Sequence, residues 1–249
     1  MKSDWWSIEN LAKQQAKALE VNDFTKLEAY GDFGSYRRVL LGDEMDASML
    51  SFHNSLNPRL KVAYCQKLLK SNVETIESVL DIGCGMGYTA NEIASLYPNA
   101  KVLAVDIASD AINFGRSRFP NVDFMCQGVD PEGSKLGEFN IIYAFEFYPF
   151  TRTSDSTVHS DYIKYLVSQL KPDGSLVIHL MWEQEESIFS TYTSLEIDFP
   201  DLKFEVRIVP AQKIIKIFKI KPLCLIMNAI ACFLLRRAQN KVIIISKND

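Results

Sequence analysis

The chain alternates short apolar runs with segments of helical periodicity from residue 78 onward. Apolar runs of this length predict buried strands, and apolar residues three or four positions apart predict helices. Strands are predicted over residues 79–82, 101–105, 122–126, 139–145 and 176–180. Helices are predicted between them, over residues 89–96, 108–118 and 161–170. Strands separated by helices of this length are typical of a parallel sheet that is covered on both faces.

The two ends of the chain depart from this alternation. Residues 1–70 are rich in helix-forming residues and predict an N-terminal helical cap, with a helix over 59–69. Two further strands are predicted near the C-terminus, over 204–209 and 241–246, with an insert at about 210–240 between them. We therefore expect an α/β protein with a cap at 1–70 and one domain at 71–249.

A glycine-rich loop joins the first predicted strand to the next helix, in the run Val79–Thr89. Glycines at 83, 85 and 87 permit a sharp turn and let a ligand approach the backbone closely. The N–H groups at the start of the following helix favour a polar or anionic ligand group. Alone, such a loop is weak evidence, because a tight turn without a ligand has the same composition.

Two acidic residues make the loop more specific. Asp106 ends the second strand, where a carboxylate can accept two hydrogen bonds from a ribose; the alternative is an exposed helix cap. A nicotinamide enzyme would share both features. Asp81, two residues before Gly83, would repel a pyrophosphate and attract a ligand with a positive amino group. The pattern therefore favours S-adenosylmethionine.

Residues 79–89 resemble the first motif of the class I methyltransferases, which depend on S-adenosylmethionine. Asp106 matches the ribose-binding acid of that family, and residues 170–176 are similar to its "LKPGG" turn. The resemblance covers about residues 75–182. It implies a Rossmann-like, mostly parallel sheet of seven strands with helices on both faces, and an antiparallel last pair.

The same resemblance implies a set of cofactor-binding residues. Gly83, Gly85 and Gly87 would shape the loop, Asp81 would reach the methionine end and Asp106 the ribose, while Ile107 would pack on the adenine. Asp130 is a candidate for the adenine amino group, or it begins the turn at 131–133. The remaining members of the predicted cofactor site are Cys84, Val129 and Phe145.

Candidates for the chemistry follow the fourth strand, because groups that act on a ligand lie beyond the carboxyl ends of parallel strands. Glu146, Arg152 and His159 form the predicted catalytic set. His159 is the candidate general base, or it is a surface histidine near a helix start. Arg152 would bind an anionic acceptor, or it pairs with Asp155.

The C-terminal segment is basic and apolar together. Residues 206–248 contain nine basic residues and no acidic one, and the apolar stretch 222–235 has 14 residues, fewer than the ~20 that span a bilayer. This insert, 213–241, either covers the sheet edge or a second subunit of a homodimer, or makes peripheral contact with a membrane. Because the rest of the chain is acidic, nucleic acid is not an expected partner.

The five cysteines are odd in number and have no CxxC pair, and the three histidines form no cluster. This pattern predicts free thiols in the cytoplasm and no metal site. We expect a methyltransferase that O-methylates a small molecule or a glycan- or lipid-linked metabolite. The alternatives are a non-catalytic S-adenosylmethionine-binding module and a nicotinamide-dependent oxidoreductase.

Overall fold

The computed structural model describes residues 58–69, 71–133, 135–147, 149–151, 154–180, 187–208 and 241–247. In chain order the helices are α1 (Pro58–Leu68), α2 (Tyr88–Leu96), α3 (Ser109–Arg118), α4 (Ser156–Ser168) and α5 (Ile188–Asp198). The strands are β1 (Ser78–Ile82), β2 (Lys101–Asp106), β3 (Asp123–Cys126), β4 (Phe139–Phe145), β5 (Leu170–Leu180), β6 (Leu202–Ile208) and β7 (Lys241–Lys247).

The strands form one seven-stranded sheet in the order β3-β2-β1-β4-β5-β7-β6. The pairs from β3 to β5 are parallel, and β7 runs antiparallel to both of its neighbours. Strands β2 and β3 lie on one side of β1, and β4 and β5 lie on the other, so the strand order switches between β1 and β4. In open α/β sheets, ligands bind at such a switch point, outside the carboxyl ends of the strands. The predicted α/β sheet and its antiparallel return are therefore confirmed.

Alternate residues of each central strand pack against two different hydrophobic layers. One layer contains Val79, Tyr143 and Val177 with side chains of α1 and α2. The other contains Leu80, Ile142 and Ile178 with side chains of α4 and α5. Helix α1 thus belongs to the core of the sheet domain, although it lies within the segment predicted as a cap.

Two local predictions were wrong, and one helix was missed. Helix α4 begins at Ser156, not at 161, because the carboxylate of Asp155 accepts hydrogen bonds from the N–H groups of Thr157 and Val158 and caps the helix there. Strand β5 begins at 170, and the predicted turn is an irregularity within it, since Phe139 pairs with Leu170 and Ile141 with Ser175. Helix α5 was not predicted at all.

Among the described residues, no helix is long and apolar enough to cross a membrane. The same residues contain no cluster of three histidine, cysteine or acidic side chains arranged to hold a metal ion. The insert at 213–240 lies outside the described residues, so its expected membrane or subunit contact stays a prediction.

Candidate cofactor site

The glycine loop lies at the carboxyl end of β1 and bends over the end of β2. The N–H groups of Gly83 and Cys84 both donate to the carbonyl of Val105, at 2.8 and 3.1 Å. Gly83, Gly85 and Gly87 have φ angles of 70°, 53° and 83°, which side-chain-bearing residues rarely adopt. Gly83 is exposed, so its backbone is open to a ligand at this edge.

Asp106 fastens this loop to the start of α3. Its Oδ2 accepts the N–H of Gly85 at 2.8 Å, and its Oδ1 accepts the N–H of Ala108 at 2.9 Å. Burial raises the pKa of this half-buried carboxyl, and the backbone N–H donors oppose that rise. Each carboxylate oxygen can accept more than one hydrogen bond, so Asp106 keeps acceptor capacity for ribose hydroxyls while it holds the loop.

Asp81 lies on β1, just before the loop, and is only 1% exposed. Its Oδ2 is buried and accepts no hydrogen bond from the described residues. Burial raises the pKa of Asp81 to about 7, although the Lys61 ammonium lowers it. A buried acceptor without a donor is costly, and a ligand ammonium group would satisfy it. The site therefore fits the amino group of S-adenosylmethionine.

Lys61 of α1 lies over the same part of the sheet and is 8% exposed. Its Nζ lies 4.7 Å from the ring centroid of Phe145. Burial lowers the pKa of Lys61, whereas the nearby charges of Glu146 and Asp81 raise it. Sequence analysis missed Lys61. The sequence does contain a signal for this residue. Lys61 and Cys65 are four residues apart, so Lys61 lies on the same helix face as a residue of the core.

Glu146 follows β4 and has a φ of 55°, which is unusual for a residue other than glycine. Its N–H donates to the carbonyl of His179 at 2.9 Å, and its Oε1 lies 4.0 Å from Nδ1 of His179. The Glu146 side chain is 33% exposed, whereas that of His179 is fully buried. Burial lowers the pKa of His179 well below its ordinary value, so its ring is neutral. Within the described part of the chain, Glu146 is the one predicted catalytic residue that lies near Lys61 and Asp81.

The residues predicted for the adenine end lie on the β2 and β3 side of the loop. Ile107 is half-buried directly after Asp106, and Val129 is buried, with its carbonyl accepting the hydroxyl of Tyr162 at 2.9 Å. Oδ1 of Asp130 accepts a hydrogen bond from the N–H of Glu132 at 3.0 Å. Asp130 therefore begins the turn at 131–133, which was the second of its two predicted roles. Cys84 is buried within the glycine loop, and burial raises the pKa of its thiol.

His159 lies elsewhere. It is fully buried in α4, within hydrogen-bond distance of Thr191 on α5, with 2.7 Å between Nδ1 and Oγ1. The prediction that His159 lies before the helix was wrong, because Asp155 caps α4 so that the helix begins at Ser156. The alternative of a surface histidine was wrong too, because the side chain is buried in the core. Its catalytic role stays a prediction. Arg152 lies outside the described residues.

Two family models match this chain. One, described as a methyltransferase domain, matches residues 79–174, and the other, described as an O-methyltransferase domain, matches residues 17–126. A malonyl-[acyl-carrier protein] O-methyltransferase of Acetivibrio thermocellus is 27% identical over 199 residues, which cover 72% of this chain and 65% of that protein. A trans-aconitate 2-methyltransferase of Rhodopseudomonas palustris is 28% identical over 106 residues, covering 41% and 38%. The chain thus spans less than two thirds of the length of these relatives.

Solved structures show the same fold. The plantazolicin methyltransferase BpumL, in complex with a monoazolic desmethylPZN analog and SAH, aligns with a TM-score of 0.55 at 17% identity, covering 96% of this chain and 100% of that one. The magnesium protoporphyrin IX methyltransferase ChlM from Synechocystis, with bound SAM, aligns with a TM-score of 0.58 at 12% identity, covering 91% and 97%. The glycine loop and its two acidic residues lie at the carboxyl ends of β1 and β2. Together with these comparisons, they show that the chain belongs to the class I S-adenosylmethionine-dependent methyltransferases.

Proposed function

We propose that this protein transfers the methyl group of S-adenosylmethionine to an oxygen atom of a small-molecule acceptor. The observation that supports this proposal most strongly is the buried Oδ2 of Asp81, which has no donor among the described residues. Asp81 lies two positions before the exposed Gly83 of the glycine loop. This arrangement suits a cationic amino group and disfavours a pyrophosphate, so it argues against the nicotinamide alternative. When bound, the cofactor supplies the activated methyl group.

An oxygen acceptor is supported by the O-methyltransferase family model and by the relative that acts on a malonyl group. The free oxygens of a malonyl thioester belong to a carboxylate, which needs no base to become nucleophilic. A glycan- or lipid-linked acceptor is a narrower version of the same proposal, supported by the basic and apolar character of residues 213–241.

The protein's own groups would orient the acceptor and keep water away from the reacting atoms. Glu146 is the candidate acid at the acceptor side, because it is partly exposed at the carboxyl end of β4, next to the loop. A hydroxyl acceptor could give its proton to this carboxylate, whereas a carboxylate acceptor would not require it.

The test begins with calorimetric binding of S-adenosylhomocysteine and of NADH to the purified protein. We expect binding of the first and none of the second; the reverse would refute the proposal. Methyl-tritiated S-adenosylmethionine is then incubated with carboxylic, phenolic and sugar acceptors. Label that is released as methanol by mild alkali indicates a methyl ester, and alkali-stable label indicates an ether. Cofactor binding without transfer to any acceptor class would favour the non-catalytic binding module.

A further inference from the structure

We propose that His179 positions Glu146 on the acceptor side by donating a hydrogen bond from Nδ1 to its carboxylate, so that Glu146 takes the proton of an acceptor hydroxyl. This inference rests on the proposed function and narrows its acceptor to an alcohol or a phenol. The proton leaves the acceptor oxygen for Glu146, which becomes a neutral carboxylic acid, while that oxygen receives the methyl group and the sulfonium becomes a thioether. His179 is a positioning residue, because it acts through Glu146.

The ring of His179 is buried without a hydrogen-bond partner. The side chain is 0% exposed, and neither Nδ1 nor Nε2 bonds to any of the described residues. A neutral imidazole carries one N–H donor and one acceptor nitrogen. A buried donor without an acceptor is costly, and native proteins seldom leave one unsatisfied. The ring therefore requires an acceptor from a group that can move toward it.

The carboxylate of Glu146 is such a group. Its Oε1 lies 4.0 Å from Nδ1 of His179, about 1 Å beyond a hydrogen bond. The Glu146 side chain is partly exposed and can rotate, whereas the His179 ring packs edge-to-face against Phe145. Hydrogen bonds in active sites are often long without ligand and shorten in the complex. A proton on Nε2 instead would have no acceptor among the described residues.

The backbone joins the same two residues. The N–H of Glu146 donates to the carbonyl of His179 at 2.9 Å, where β4 and β5 end side by side. The φ of 55° at Glu146 is rare for a residue with a side chain. Such strained conformations persist where the surrounding structure holds them, and they are concentrated at active sites. The bond to His179 therefore helps to fix the direction in which the Glu146 side chain leaves β4.

Glu146 also lies next to the glycine loop. A Cβ at Gly83 would lie 3.0 Å from the ring of Phe147, the residue that follows Glu146. Strand β4 lies between β1, which carries the loop, and β5, which carries His179. Glu146 is therefore placed between the candidate cofactor site and the buried imidazole.

The charges around Glu146 favour a hydroxyl acceptor over a carboxylate. Lys61 of α1 and Asp81 of β1 share this space, and the charges of Glu146 and Asp81 raise the pKa of Lys61. Burial and the Lys61 ammonium lower the pKa of His179 well below its ordinary value, so its ring donates a hydrogen bond as a neutral group. The carboxylate of Glu146 thus keeps its charge. It repels an acceptor carboxylate and accepts the proton of a hydroxyl.

The position of the imidazole proton tests this contact without any acceptor. Long-range proton–nitrogen correlation spectra of the isotope-labelled protein distinguish a proton on Nδ1 from one on Nε2 for each of its three histidines. His179→Asn identifies the signal of His179. We expect a neutral ring with the proton on Nδ1, and a shift of the proton toward Nε2 in Glu146→Met. A proton on Nε2 in the wild type, or a tautomer that Glu146→Met leaves unchanged, would overturn the proposal.

Methyl transfer to the phenolic and sugar acceptors, with catechol and glucose among them, tests what the contact does. Glu146→Gln should lower kcat about a hundredfold or more, as for the loss of a general base. His179→Leu removes the donor and should lower kcat about tenfold with little change in KM, as for one hydrogen bond to a charged group. His179→Asn places a neutral N–H donor near the position of Nδ1 and should recover most of that loss. Affinity for S-adenosylhomocysteine should stay at the wild-type value in all three variants.

Val177→Ala is the matched control, because it removes part of a buried side chain from the same strand and the same hydrophobic layer. It should lower the melting temperature without changing kcat. Equal losses of kcat in His179→Leu and His179→Asn, or an equal loss of S-adenosylhomocysteine affinity, would overturn the positioning role. Label taken only by carboxylic acceptors would overturn the hydroxyl assignment. Transfer to no acceptor would instead contradict the proposed function, and the position of the proton would still decide whether His179 holds Glu146.

Discussion

The carboxylate of Asp106 holds the N–H of Gly85 at 2.8 Å across 21 positions of the chain. The same carboxylate also accepts the N–H of Ala108. The acid that the family uses for the ribose therefore also fixes the glycine loop against the start of α3. Because Asp106 is also the predicted ribose-binding residue, we expect a substitution there to affect both the shape of the loop and cofactor affinity.

Asp106→Ala should reduce the affinity for S-adenosylhomocysteine at least tenfold. It removes hydrogen bonds to a charged acceptor, at about 1.5–3 kcal/mol each. It should also lower the melting temperature, because the N–H groups of Gly85 and Ala108 lose their partners. Calorimetry and thermal unfolding measure the two effects, and Asp123→Ala, which removes an exposed acid from the neighbouring strand, should change neither. Unchanged cofactor affinity in a folded Asp106→Ala protein would refute the assignment.

Asp81→Asn should stabilise the ligand-free protein at pH 8 while it weakens cofactor binding. The pKa of Asp81 is about 7 in the folded protein and near its ordinary value of 3.8 in the unfolded chain. Between these values the folded state holds the extra proton, so the free energy of unfolding falls as the pH rises from 3.8 to about 7 and stays lower above it. Asparagine does not ionise and avoids this loss.

The measurement is the melting temperature of wild type and Asp81→Asn between pH 4 and pH 8, with calorimetry at the same pH values. The advantage of the variant should grow as the pH rises and be smallest near pH 4. Wild-type affinity for S-adenosylhomocysteine should fall as the pH drops below about 7, whereas that of the variant should vary less. A variant that is less stable than wild type at pH 8 would contradict the buried, uncompensated charge.

The sequence predicted the sheet and the glycine loop well because both depend on local patterns. Continuous apolar runs identify strands that are buried on both faces, and glycines at 83, 85 and 87 mark the positions with positive φ. Helix α5 escaped prediction since serine, threonine and β-branched residues dominate its sequence and have low helix propensity. Its packing through Ile188, Thr191 and Leu195 stabilises the helix instead.

The charged residues around Asp81 could not be predicted in the same way. Lys61 and Glu146 are brought near Asp81 only by the packing of α1 on the sheet and by the pairing of β1 with β4. No spacing along the chain encodes these contacts. The prediction started α4 at 161, five residues too late, and therefore placed His159 before the helix, whereas in the structure it lies within the helix and is buried.

Gly87→Ala should destabilise the fold by about 2–4 kcal/mol, from overpacking and from the cost of a positive φ. A Cβ at Gly87 would lie 2.5 Å from the Phe124 ring, and the φ of 83° is unfavourable for alanine. Gly115→Ala is the matched control, because its Cβ would meet the same ring at 2.5 Å without a positive φ, in a helix where alanine is favoured. Urea unfolding should show the larger loss for Gly87→Ala, and equal losses would contradict a cost from the loop backbone.

His159→Ala should lower stability by about 2–4 kcal/mol through a lost hydrogen bond and a cavity, and it should leave S-adenosylhomocysteine affinity unchanged. Both ring nitrogens of His159 have partners in the core: Nδ1 lies 2.7 Å from Oγ1 of Thr191, whose hydroxyl itself donates to the carbonyl of Ile188 at 3.2 Å, and Nε2 lies 3.4 Å from the carbonyl oxygen of Pro149. A general base needs a ring nitrogen that faces the acceptor, and both nitrogens are occupied by these partners. Thr191→Val removes the same hydroxyl without creating a large cavity and should cost about 1 kcal/mol. If the histidine and the hydroxyl act as one pair, the double variant should lose less stability than the sum of the single variants. A His159→Ala protein that melts as the wild type does, yet loses the pH dependence of methyl transfer to a hydroxyl acceptor, would instead establish His159 as the base.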